Sequence, residues 1–112
     1  MTDIKTLIEK GGMALLCPSE IPQKNITGCY CGDLLSWVMS RAKEGDAWLT
    51  VMGNINAVGV AALSECACIV LTENASLDAD ALKRAEENDI VILRTEKNSY
   101  ETAVLLSKLL GD

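Results

Sequence analysis

From Ala47 onward, short apolar runs alternate with helical segments of nine to twelve residues, and this rhythm predicts an α/β domain on a mainly parallel sheet. Two further observations set its size. The chain has 112 residues, and 49% of them are hydrophobic against 23% charged. That is enough apolar material for one packed core spanning residues 1–112 and too much for a disordered chain. No linker divides the sequence, and neither an internal repeat nor a low-complexity stretch is present.

Each element has a local reason. Ile4, Leu7 and Ile8 share one helical face, so a helix is expected from Thr2 or Asp3 to Lys10, stopped by Gly11-Gly12. Met13 to Cys17 is an apolar run closed by Pro18 and reads as a strand. The polar stretch Ser19 to Lys24 reads as a loop. Thr27 to Cys31, bracketed by Gly28 and Gly32, is a second short strand, after which Asp33 is placed to cap a helix from Leu34 to about Lys43. Strands then follow at Ala47–Met52, Cys66–Leu71 and Ile90–Leu93. They alternate with helices at Ile55–Leu63, Asp78–Glu87 and Ser99–Leu110.

Charge and composition exclude several function classes. A net charge of −6 with scattered lysines and arginines argues against nucleic acid and against an anionic membrane surface. No apolar run approaches the roughly 18 residues of a membrane helix, and the N-terminus carries no signal-like block. A cytoplasmic chain is expected. Its five cysteines, an odd number, are expected to be free thiols. Histidine is absent, which removes the commonest general base and the commonest metal ligand together.

Two helices are apolar over more than one face. Ile55 to Leu63 is built almost entirely from small apolar side chains, and Leu34 to Lys43 carries Trp37. Such helices are covered on several sides, inside the domain or by a second subunit. The expected contact residues are Leu34, Trp37, Val38, Ile55, Val58, Gly59 and Ala62.

The stretch from Asn25 through Thr27-Gly28-Cys29-Tyr30-Cys31-Gly32-Asp33 to Ser36, with Gly45 to Thr50 and Asn54 to Val58, resembles the DRTGG domain family. Thr27 and Gly28 match the Thr-Gly of the family motif. Lys24, Asn25 and Cys29 stand where its Asp, Arg and second Gly would be. The resemblance implies a three-layer α/β/α domain similar to the N-terminal domain of HPr kinase/phosphatase. It also implies a regulatory or accessory module, commonly dimeric, with no established activity of its own.

The residues agree with the absence of catalysis. Phosphoryl transfer of the P-loop kind needs G-x-x-x-x-G-K-[ST], and none of the eight glycines starts that pattern. Asp33, Asp46 and Glu65 lie near apolar segments, but each has a plain task in a cap, a turn or a helix end. The pairs Cys29/Cys31 and Cys66/Cys68 would each point to one face of a strand. Neither has the usual spacing of a zinc site, so core thiols are expected and no cofactor is implied.

A ligand edge is the other candidate. In an open parallel sheet, anions favour the helix starts beyond the carboxyl ends of the strands. Gly53, Asn54, Asn56, Thr72, Glu73, Asn74, Thr95, Glu96 and Asn98 are expected there, with Thr27 and Gly28 joining them. Ordinary capping by the asparagines is the simpler account. Two functions follow as expectations. One is a non-catalytic regulatory domain acting through homodimerisation and a protein partner. The other is a sensor of a small phosphate or nucleotide ligand.

Overall fold

A computed structural model describes residues 1–111. In chain order the elements are β1 (Thr2–Asp3), α1 (Ile4–Glu9), β2 (Ala14–Cys17), β3 (Asn25–Ile26), β4 (Gly28–Cys31), α2 (Leu35–Arg41), β5 (Asp46–Thr50), α3 (Ile55–Ser64), β6 (Cys68–Leu71), α4 (Ala79–Glu87), β7 (Ile92–Arg94) and α5 (Ser99–Leu110). Five strands form one sheet in the order β2-β7-β6-β5-β4. The β4, β5, β6 and β7 ladders are parallel, and β2 closes one edge antiparallel to β7. The short strands β1 and β3 make a separate antiparallel pair. Two-residue strands have no sequence period, and neither was expected.

Successive right-handed crossovers that always step the same way place their helices on one face. Accordingly α2, α3 and α4 cover one side of the sheet, and α1 and α5 cover the other. Strand alternation divides the core between them. Trp48, Ile69, Leu71 and Ile92 pack with Val38, Val58 and Ala81 on the first side. Ala47, Leu49, Cys68, Val70 and Leu93 pack with Ile4, Leu7 and Leu106 on the second. This is the three-layer α/β/α sandwich expected from the sequence.

Local chemistry explains most boundaries. Asp3 caps α1 through its Oδ1, which accepts from the Thr6 hydroxyl at 2.6 Å and the Thr6 amide at 2.8 Å. Those bonds hold the Asp3 carboxyl below the usual range, the hydroxyl contributing most. α5 begins with a reciprocal capping box between Asn98 and Glu101.

Three expectations are corrected. Asp33 does not cap α2. Leu34 occupies the cap position without a side-chain bond, and the Asp33 carboxylate instead accepts from Thr50 Oγ1 at 2.6 Å and the Val51 amide at 3.1 Å. A partner at the end of the neighbouring strand outcompetes the local helix end. β6 starts at Cys68 because the Cys66 amide is taken by Ala61 O, closing α3, where Glu65 turns left-handed at φ 55°. Cys66 therefore lies with the α2–α4 side of the core and Cys68 with the α1–α5 side, so this pair does not share a face. Val38 and Val58 are fully buried under their own helices and are not available to a second subunit.

Candidate functional site

The carboxyl ends of β5, β6 and β7 gather Gly53, Asn54, Thr72 and Thr95, as expected. Most of their polar groups already have partners within the domain. Asn54 Oδ1 caps α3 by accepting from the Ala57 amide at 2.9 Å. The buried Thr72 hydroxyl pairs with Ser99 Oγ at 2.9 Å. Thr95, also buried, accepts the Lys97 amide at 3.3 Å, and its carbonyl accepts from Asn74 at 2.8 Å. Asn98 is occupied by the α5 capping box. Asn56, two residues after Asn54, is exposed and faces the α2–α3 groove.

Thr27 and Gly28 do not join this edge. Thr27 precedes β4 and Gly28 opens it, and the parallel register pairs Gly28 with Asp46 at the start of β5, which puts both at the amino end of the sheet. The Thr27 amide donates to Gly45 O at 3.0 Å, and Gly45, at φ +86°, abuts the Thr27 hydroxyl. Asp46 fixes the same turn by accepting the Lys43 amide at 2.8 Å.

Sequence reasoning missed the cations of the carboxyl edge. Arg94 ends β7, and Lys97 lies in the loop that follows. With Gly12, Asn74, Thr95 and the acidic Glu96 they line a cleft of about 270 Å³. A basic residue directly after a core strand was the available signal.

The second feature is apolar. α2 and α3 lie side by side, and a groove of about 870 Å³ runs between them, lined by Leu35, Met39, Ile55, Gly59 and Leu63 among others. Leu63 is 72% exposed, Leu34 56%, Trp37 51% and Met39 49%, while small alkyl positions sink inward. A Cβ added at Gly59 would meet nothing within 4 Å, so no packing inside the domain demands glycine there. Of the expected contact residues, Leu34, Trp37 and Ala62 are exposed, and Ile55 and Gly59 are half-buried. Arg41 stacks over the Trp37 ring, 3.8 Å from its centroid.

The DRTGG domain family matches residues 29–109, which is most of the chain. The chain belongs to that family. Among curated proteins none matches it in sequence. Among solved structures it is similar to the CBS and DRTGG domains of the regulatory region of Clostridium perfringens pyrophosphatase, complexed with the activator diadenosine tetraphosphate. The TM-score is 0.70 at 13% identity, over 97% of this chain and 46% of that one. The present chain thus spans about half the length of that structure, and the likeness is one of fold.

Within this DRTGG domain the thiols sort by depth. Cys17, Cys66 and Cys68 are buried, Cys29 is half-buried and Cys31 is exposed, all of them free. Burial pushes Cys66 up to about 11 and Cys68 to about 12. Among the described residues no three His, Cys, Asp or Glu side chains converge as a metal site would require. Likewise no described helix is long and apolar enough to cross a membrane.

Proposed function

We propose that this chain is a non-catalytic regulatory domain that pairs with a second copy of itself through the α2–α3 face and transmits its state to a protein partner. The observation that supports this reading is the apolar groove between α2 and α3, lined by Leu35, Met39, Ile55, Gly59 and Leu63, of which Met39 and Leu63 are exposed. Monomers seldom expose large side chains in such a contiguous patch. A Cβ at Gly59 would meet no atom within 4 Å, which leaves room for a facing helix to approach closely. Family membership and a neighbour that is a regulatory region agree with a regulatory role.

Each copy carries a net charge of −6, so long-range repulsion opposes pairing. The apolar face must supply the attraction, and screening should help it. Sedimentation or light scattering at micromolar concentration is therefore expected to give a dimer that tightens as salt rises. Leu63→Glu places a charge at the centre of the face without touching the core. Losing a central apolar anchor costs at least ~2 kcal/mol, or roughly a thirtyfold weaker dimer. A monomeric wild type sinks the reading, as does a Leu63→Glu chain that still pairs normally.

A second reading rests on the Arg94 and Lys97 cleft, which suits a small phosphate or nucleotide. It predicts that inorganic phosphate or diadenosine tetraphosphate raises the melting temperature. A ligand at a hundred times its Kd stabilises the folded state by about 2.7 kcal/mol. Arg94→Ala should abolish the rise and leave dimerisation intact. No shift with either compound would dismiss this site.

A further inference from the structure

Among the described residues that line the α2–α3 groove, Arg84 is the one charged side chain. It belongs to α4, which packs on the other side of α3. Neither α2 nor α3 contains an acidic residue to meet it. While the groove is open, water solvates the guanidinium. A second apolar face laid over it takes that water away, and a charge covered without a counter-charge is strongly unfavourable. The covering surface must therefore bring a carboxylate to this point.

The helix starts show where that carboxylate comes from. The Gly53 carbonyl accepts from the Asp78 amide at 2.8 Å, and a Cβ on Gly53 would overlap the Ser76 carbonyl oxygen. Asn54 and Asp78, the cap residues of α3 and α4, are therefore pinned level with one another. Both helices leave the carboxyl edge of neighbouring parallel strands, so Asn56 is level with Asp80 and Val60 with Arg84. Val60 and Arg84 do line the groove together. Asp80 lies one turn before Arg84 on the same stripe of α4, and both are exposed.

We propose that Asp80 and Arg84 are the specificity-determining pair of a homodimer in which α4 of one copy runs antiparallel to α4 of the other. Each Arg84 meets the Asp80 of the second copy. The inference rests on the pairing through the α2–α3 face proposed above. Helices approach closest where the facing side chain is smallest, and on the groove side of α3 that point is Gly59. A two-fold axis crossing the helices at Gly59 passes α4 at the level of Lys83. With a rise of about 1.5 Å per residue, Asp80 of one copy then lies roughly 3 Å along the helix from Arg84 of the other. A guanidinium spans that offset, and two-fold symmetry makes the contact twice.

The same charges disfavour the alternative orientation. An axis running along the helices lays α4 over α2 of the second copy. Arg84 then faces a helix whose only charged residue is Arg41, and the two cations repel. Antiparallel pairing is the arrangement in which each Arg84 finds a carboxylate.

Charge reversal tests the pair on the intact chain. Asp80→Arg and Arg84→Asp each turn two attractions into two repulsions. Each is expected to weaken self-association by roughly tenfold or more, read by sedimentation at fixed salt. Long-range charge alone predicts otherwise, because Asp80→Arg reduces the net charge of −6 and would tighten the dimer. An equimolar mixture of the two variants carries opposite charges at both contacts and should form a heterodimer of close to wild-type affinity. Melting curves at dilution check that each variant folds. Should a reversal unfold, Asp80→Asn and Arg84→Gln take its place, each expected to weaken pairing by roughly threefold. Undiminished self-association of either variant, or a mixture that associates no better than its components, overturns the assignment and leaves the pairing itself standing. A monomeric wild type overturns both.

Discussion

Trp48→Ala is expected to cost about 3–5 kcal/mol, the range for removing a large buried aromatic from a core. Trp48 is fully buried at the middle of β5, between Tyr30 on one neighbouring strand and Ile69 on the other. It fills the floor beneath α2 and α3, where Val38, Val58 and Ala61 meet the sheet. Its indole Nε1 also donates to Gly32 O at 2.8 Å, tying the loop before α2 to the sheet. Small domains are stable by only about 5–15 kcal/mol, so this single change consumes a large share of the total. Urea denaturation should show a much lower midpoint, and thermal melting a fall of roughly 15 °C or more. Trp48→Phe separates the two contributions. It keeps most of the ring but orphans the Gly32 carbonyl, and it should cost roughly 1–3 kcal/mol. A Trp48→Ala chain that melts with the wild type would mean that the α2–α3 layer does not rest on this side chain.

The same substitution should have opposite signs at two glycines. A Cβ at Gly53 would overlap the Ser76 carbonyl oxygen and come within 3.1 Å of Leu77 Cα. Both neighbours are backbone, and the Asp78 amide is bonded to Gly53 O at 2.8 Å, so neither loop can simply step aside. Gly53→Ala is expected to destabilise by about 1–3 kcal/mol or more, as forced overpacking does. Gly59 lies in the middle of α3 with open space beside it. Gly59→Ala should therefore stabilise the chain by roughly 0.5–1 kcal/mol through helix propensity alone. Denaturant midpoints of the two variants check both signs. A loss at Gly59 would show that its small size matters to packing in solution, as the proposed dimer face requires of bulkier replacements.

Much of this architecture was legible because periodicity survives in its longer elements. The strands from β5 to β7 are apolar runs bounded by turn residues, and the helix after each has its own cap or glycine. The family resemblance agrees with the match over residues 29–109, which takes in the segments around Gly45 and Asn54 and begins just after Thr27-Gly28. What escaped was set by partners distant in the chain. Asp33 has the composition of a helix cap, but Thr50 lies 17 residues away and claims it. Gly28 was read as part of a strand correctly, with Thr27 just before it, yet a residue that opens a parallel strand lies at the amino edge, opposite the helix starts. Val38 and Val58 could not be told from Trp37 and Gly59 by pattern, because a helix apolar all round does not announce which side meets the sheet. The thiols of Cys66 and Cys68 parted faces for a similar reason, since the strand begins two residues later than its apolar run.

The strand order has a geometric consequence for the helix row. Neighbouring strands lie about 4.8 Å apart, whereas packed helices need about 8–10 Å. Three helices laid over successive strand pairs therefore fan outwards, wider by several ångströms on each side than the strands they connect. At one end β2 fills the space beneath the overhang, and α4 rests on it. At the other end the sheet stops at β4, and α2 projects past the last strand with Trp37 on its unsupported flank. The exposed apolar margin is thus a product of counting, five strands against a row of three helices. Adding one strand outside β4 would be the way to erase it.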